Sequence, residues 1–492
     1  MVKLQELHIF LLLISLLISC KKELSWKNKV EKSGTYASPR AVDLNNDGVK
    51  DIVLGAGGNQ EWEASENGVL AFNGKDGSLL WKAACRNQIV GCPVFMDITG
   101  DEIEDIFIGG RSAQFIALNG KDGTVIWEFM PTNTQQDYFN DTTILNFFSP
   151  VFIPDQDKDG TDDILISYGG FVKADPFVSK RPVGYLKVFS TQSGKILAKA
   201  AMPDGKETYM SPIVQRQNNH SKIFFGSGGE TIAGNFYVTT LKDIMDGSIT
   251  DYKTLAKGNT KGFIAPPVLV DITEDNILDV VINAFEGVTI AFDGNTYNIL
   301  WETHIGKAYE THSQPAIGQF TGDLTPDFFI NFGKGKWPDM VGAIQILIDG
   351  STGEIEKLDS IGYLQYASPI PLIHSGQLYN EILFPVNEKL PTGYTLTSGL
   401  PEFKYQSNLF LFQPNTHTKI SLLRESGTNI GSTILIEDLD DNGISEIIFV
   451  HNNNQYDAFK FEGISIHCFS MPNYSSKWNQ YMGAKSNSIY TH

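Results

Sequence analysis

The chain has 492 residues, of which 19% are charged and 11% aromatic, with 46 glycines and a formal net charge of −19. Length alone would allow about three domains, but the composition is that of a β-rich globular protein rather than a disordered one. The acidity argues against nucleic acid as a partner, which calls for basic stripes, and none occurs in the sequence.

The chain opens "MVKLQELHIFLLLISLLISCKKE". Its apolar run, Ile9–Ile18, is too short to cross a membrane comfortably, since a spanning helix needs about 20 residues; it has signal-peptide proportions. "LISC" at 17–20 resembles the bacterial lipobox, and "KKE" after it resembles the charged tract of some surface-exposed Bacteroidetes lipoproteins. That resemblance implies a signal peptide over 1–19, acylation of Cys20 and a lipidated linker over 20–33. It implies an outer-membrane lipoprotein, facing the periplasm or the cell surface, that meets the membrane through its lipid anchor only. Plain secretion, with Cys20 a bystander, is the alternative.

"DLNNDGVKD" at 43–51 comes next. Asp43, Asn45 and Asp47 stand at loop positions 1, 3 and 5, the Val49 carbonyl at 7 and Asp51 at 9. Alternate residues of a tight loop converge, and calcium takes six to eight oxygens at about 2.3–2.6 Å. An EF-hand would need Glu at position 12 and a helix beyond; Leu54 stands there, inside a strand-like run "DIVLGAGG". A solvated Asx-turn is the bland alternative for a single copy.

The spacing returns five times. The copies are Asp97, Thr99, Asp101, Ile103, Asp105; Asp155, Asp157, Asp159, Thr161, Asp163; and Asp271, Thr273, Asp275, Ile277, Asp279. Two more are Gln319, Thr321, Asp323, Thr325, Asp327 and Asp438, Asp440, Asn442, Ile444, Glu446. These residues are the candidate ligands of up to six structural Ca²⁺ ions. The ligand positions hold 18 of the 57 acidic residues, and six bound ions would bring the net charge from −19 to −7.

Each loop lies between two short apolar runs, and two further segments, from Tyr209 and Tyr366, keep the runs without the carboxylates. The repeats begin at Pro39, Pro93, Pro150, Pro212, Pro267, Pro315, Pro369 and Ile434, spaced by 48 to 65 residues. Such a period holds one four-stranded unit. The second half of a unit repeats as well, as in "GVLAFNGKDGSLLWKA" (68–83) and "VTIAFDGNTYNILWET" (288–303): strand, glycine-containing turn, strand. Trp81, Trp127 and Trp301 share one position on the last strand, either packing between units or touching a ligand.

The first half of each unit resembles the FG-GAP or VCBS calcium-loop repeat. The second resembles the quinoprotein-like propeller repeat, whose consensus runs Asp-x-x-Thr-Gly-x-x-x-Trp. Together they imply an all-β fold over 34–492: an eight-bladed β-propeller of four-stranded antiparallel blades. Quinoprotein enzymes hold pyrroloquinoline quinone with vicinal half-cystines. No Cys-Cys pair occurs here, so that cofactor is not expected.

Ring closure has two candidates, since "LSWKNK" (24–29) and "SKWNQY" (476–481) both look like the outer strand of the last blade. The C-terminal copy is expected to close the blade, and the N-terminal one to lie in the linker. Cys85 and Cys92 could form a short staple in an oxidising compartment, and Cys468 is expected as a buried free thiol.

The inner strands should begin near one mouth of the channel, three residues before each repeat start. Those positions are Tyr36, Val90, Phe147, Tyr209, Ile264, His312, Tyr366 and Gly431. Tyr36, Phe147, Tyr209, His312 and Tyr366 would form a stacking rim for a ligand, or else pack strand ends. No HExxH, CxxC or nucleophile elbow occurs, so no catalytic residues are assigned. The expected role is non-enzymatic binding, adhesion or scaffolding for an extracellular glycan or protein. Some rhamnogalacturonan lyases resemble this architecture; a calcium-dependent lyase is the alternative and would need a basic cluster at the mouth.

Overall fold

A computed structural model describes residues 25–131, 137–171, 173–216, 220–336, 339–394 and 401–491. The segment expected to be a signal peptide, Cys20 and the expected linker up to residue 24 lie outside the described residues. The fold is an eight-bladed β-propeller of antiparallel, essentially four-stranded sheets. The only helix among the described residues is the five-residue Leu241–Met245.

Blade one shows the pattern, with strands Arg40–Val42, Asp51–Gly55, Ser65–Phe72 and Leu79–Cys85 from the axis outward. The innermost strands are short, as in Val94–Met96 and Val268–Val270. The second strands Asp51–Gly55, Asp105–Gly109 and Asp163–Gly169 are buried at every residue. A blade packs both faces against its neighbours, so these strands read as unbroken apolar runs rather than alternating ones. Blades six and seven carry longer hairpins than the repeat predicts: Glu381–Tyr394 pairs with Pro401–Gln413, and Tyr394 is exposed at its end.

The Ser-Pro frame has a physical reason. At five of the eight repeat starts the preceding residue, Ser38, Ser149, Ser211, Ser368 or Thr433, carries a hydroxyl that accepts a backbone N–H from the blade before it. Cys92 N donates to Ser149 Oγ (3.0 Å), Ser149 N to Ser211 Oγ (3.1 Å), and Gln314 N to Ser368 Oγ (2.9 Å). Ser368 N donates to Thr433 Oγ1 (3.0 Å) and Thr433 N to Ser38 Oγ (2.9 Å), which joins blade eight to blade one.

The tryptophans sit between blades. Trp81 Nε1 donates to Gly120 O (2.8 Å), Trp127 Nε1 to Thr191 O (2.9 Å) and Trp301 Nε1 to Gly350 O (2.8 Å), each in the outer turn of the next blade. The glycine of that turn is forced twice over. Gly123 has φ +73°, and a Cβ there would lie 2.4 Å from the Trp81 ring.

Ring closure departs from the expectation. Ser25–Glu31, not 476–481, is the outermost strand of blade eight, and it pairs with Gly463–Phe469 in unbroken register. Propeller structure therefore begins inside the segment expected to be linker. Trp26 explains the choice: its Nε1 donates to Gly74 O of blade one (2.8 Å), as Trp81 does to blade two. A Cβ on Gly77 (φ +71°) would meet its ring at 2.3 Å. The C-terminal copy is drawn inward instead. Tyr474 and Ser475 pair with the inner strand of blade seven. Beyond them Trp478 is buried, among inner-strand residues that include Ile370, Leu372 and Ile436. Asn479 O accepts from Ile436 N (2.8 Å), and Ser488 O from Leu269 N (2.8 Å). Buried Arg40 donates to Tyr481 O (2.6 Å) and to Ser486 Oγ. The tail thus joins the inner strands of blades five, seven, eight and one and fills the channel.

Cys85 and Cys92 are buried free thiols and form no staple; Cys468 is also buried and free. Cys85 ends the outermost strand of blade one, whereas Cys92 faces the channel mouth, so the two point to different places.

Candidate ligand site at the channel mouth

The frame positions converge at one mouth. Tyr36, Val90, Tyr209, Ile264, His312, Tyr366 and Gly431 line one cavity of about 520 Å³, within the range of small-ligand pockets. Phe147 is the exception. Asn146–Phe147 pairs with the second strand of blade three, which turns the Phe147 ring into the core against Tyr168 (4.6 Å). Phe148 lines the cavity in its place, one residue out of frame. Tyr481, from the C-terminal tail, also lines the cavity.

The loops between second and third strands add charge that the frame did not reveal. Glu61 comes from blade one, Arg111 from blade two, Arg181 from blade three and Glu230 from blade four; Glu207 enters from the link into blade four. Two of these follow glycine-rich strand ends: Arg111 follows "GG" at 109–110 and Glu230 follows "GSGG" at 226–229. A residue in that place, just past a buried second strand, was the signal available.

The basic side chains face carboxylates. Arg111 contacts Glu61, Arg181 Nε lies 3.9 Å from Glu207 Oε1, and His312 Nε2 lies 3.2 Å from Glu230 Oε1. Arg111 also lies over the Tyr36 ring (5.5 Å), and the His312 ring packs on Tyr366 (4.1 Å). Burial holds the Tyr36, Tyr209 and Tyr366 hydroxyls well above their ordinary pKa, and nearby carboxylates add to the effect. They remain protonated donors rather than bases. Burial likewise raises Glu207 to about 6, against the pull of Arg181.

The acidic loops join first strands to second, at the other end of the inner strands from this mouth. In each loop the carboxylate at position 9 is buried and holds the loop together. Asp51 accepts from Leu44 N (2.9 Å) and, across the blade, from Gly74 N (2.9 Å); Asp279 does the same with Ile272 N and Gly294 N. Position 1 accepts from the loop backbone, as Asp43 does from Gly48 N (2.9 Å). Two loops gather three carboxylates with ligand atoms within 4.8 Å: Asp155, Asp157 and Asp159, and Asp438, Asp440 and Glu446. Each also has a buried carboxylate oxygen with no hydrogen-bond partner, Asp163 Oδ1 and Asp440 Oδ1. These two loops fit a hard cation best.

A family model described as "FAM234A/B beta-propeller" matches residues 26–362. A search of curated proteins finds no match. Among solved structures, a europium-containing methanol dehydrogenase aligns with a TM-score of 0.58 at 10% identity, over 90% of this chain and 92% of that one. Sqt1 of Saccharomyces cerevisiae aligns at 0.55 and 10% identity, over 91% and 98%. The quinohemoprotein alcohol dehydrogenase ADHIIG of Pseudomonas putida HK5 aligns at 0.55 and 11%, over 92% and 76%. At these identities the likeness shows the fold alone.

Proposed function

The chain belongs to the FAM234A/B β-propeller family, and on that premise we propose that it is a non-enzymatic binding module whose channel mouth takes an extracellular glycan. A protein displaying a comparable polar, aromatic-stacking end is the other occupant of this class. The observation that carries the proposal is the pairing of every arginine in the cavity with a carboxylate, beside half-buried aromatic rings. Glu61, Glu207 and Glu230 outnumber Arg111 and Arg181. Such a mouth suits neutral hydroxyl-rich ligands, with carboxylates accepting from sugar hydroxyls and rings stacking on sugar faces. It does not suit a uronate, whose lysis needs unpaired cations to neutralise it and a free base to deprotonate it.

Tyr209→Ala combined with Tyr366→Ala is expected to cut glycan capture at least about tenfold while the melting curve stays cooperative. Glycan-array binding of the purified chain measures this. Unchanged capture would show that the rings only pack strand ends. Release of unsaturated uronate from pectic substrates would instead establish a lyase.

The same proposal includes structural calcium in the acidic loops and a lipid anchor at Cys20. Export supports the metal, because loops of modest affinity fill at the millimolar calcium found outside cells. Cys20→Ala is expected to move the protein from the membrane pellet to the soluble fraction, and an undiminished pellet would refute the anchor.

A further inference from the structure

We propose that His451, His467 and Glu425 form a site for one divalent transition-metal ion, with Zn²⁺ the best fit, at the seam of blades seven and eight. His451 lies on the second strand of blade eight, Ser445–Asn452, and His467 on the third, Gly463–Met471. Glu425 reaches across from Thr418–Ser426, the outermost strand of blade seven.

The donor atoms already converge. His451 Nε2 and His467 Nε2 are 3.1 Å apart, and His467 Nε2 is 3.8 Å from Glu425 Oε1. All three donors lie within 4.8 Å of one another. Tetrahedral zinc with bonds of about 2.0–2.1 Å sets neighbouring donors about 3.3–3.4 Å apart, so the two histidines need shifts of a few tenths of an ångström, and the Glu425 carboxylate closes on the ion from within 4.8 Å by side-chain rotation. His451 Nδ1 lies 3.3 Å from Asn452 O. Donation to that carbonyl fixes the tautomer that leaves the Nε2 lone pair free, the usual outer support of a ligating histidine.

The surroundings separate this cluster from ordinary core packing. The two imidazoles are 3% and 6% exposed, whereas Glu425 is partly open to solvent. That opening gives a path for the ion and a fourth position for water. The propeller repeat does not account for the histidines: the positions equivalent to His451, five residues past the buried loop carboxylate, are Ala56, Gly110, Tyr168, Ala284 and Phe332. A cation already uses the carboxylate, since Lys27 Nζ lies 2.9 Å from Glu425 Oε1. Lys27 stands on the closing strand in register with His467, so the ion and Lys27 compete for one carboxylate at the point where the ring closes.

The test titrates the whole purified chain, stripped of metal and held in millimolar calcium to keep the acidic loops occupied. Zn²⁺ is followed by calorimetry and Co²⁺ by its visible absorption. One ion per chain is expected from this site, with the intense Co²⁺ bands of four-coordinate geometry. Glu425→Gln should weaken binding at least about tenfold, and Lys27→Met should tighten it by removing the competing ammonium. Both changes are at solvent-accessible positions, so the fold is retained. His467→Asn should abolish the Co²⁺ bands. No Zn²⁺ binding in calcium, or equal affinity in the wild type, Glu425→Gln and Lys27→Met, would overturn the site.

Discussion

Trp26→Ala should lower the stability of the propeller by about 2–4 kcal/mol, somewhat below the usual cost of a fully buried tryptophan because the ring is half-buried. The change removes the indole from the seam with blade one and leaves Gly74 O without its donor. Deleting Ser25–Glu31 should do more. The strand Gly463–Met471 would become an open edge with unpaired backbone groups, a template for association with other chains. Contacts between the inner strands and loops of blades eight and one would survive, among them Thr433 N to Ser38 Oγ, Lys50 N to Leu439 O, Thr35 with Asn452 and Phe461 N to Asn59 O, but the outermost strand and its Trp26 contact would be lost. The deletion variant should therefore melt earlier and aggregate, while Lys29→Ala, at an exposed position of the same strand, should melt like the wild type. An unaltered melting curve for the deletion would show that the ring closes without its N-terminal strand.

Removal of calcium should destabilise the fold on a similar scale. Sites with dissociation constants of about 0.1–1 mM contribute roughly 0.4–1.4 kcal/mol each at millimolar calcium, or roughly 2–8 kcal/mol for six independent loops. The effect should concentrate in the loops at Asp155 and Asp438, where carboxylates gather. Asp155→Ala should accordingly cost more than Gln319→Ala.

The pH dependence gives a second readout. Burial raises Asp51, Asp163 and Asp327 to about 6, and in the first two loops neighbouring carboxylates push the same way. The metal-free folded state then holds protons that the unfolded chain, with aspartates near 3.9, has already lost. Its stability should fall as pH rises from about 4 to about 6, where these groups ionise in the fold. Bound calcium compensates the ionised form, so it should flatten or reverse that slope. Coincident melting curves with chelator and with calcium at pH 7 would refute structural calcium.

The number of blades, their four strands and the inner-strand frame were legible in the sequence, because each is written into every repeat. A loop spacing, a Ser-Pro pair and a Gly-x-x-x-Trp turn recur wherever neighbouring blades impose the same steric demand. The rim was legible for the same reason at Tyr36, Tyr209, His312 and Tyr366. It failed at Phe147, where two residues of local pairing shift the frame by one. The charged half of the site could not be read from the repeat. Glu61, Arg111, Arg181 and Glu230 sit in loops of unequal length, and only closure of the ring brings them to one mouth. Ring closure itself was a choice between two similar strands. Local sequence made both competent; the tertiary structure chose Trp26 because its indole reaches Gly74, and buried Trp478 in the channel. The meeting of Glu425, His451 and His467 likewise depends on two blades packing side by side, a contact that no local pattern encodes.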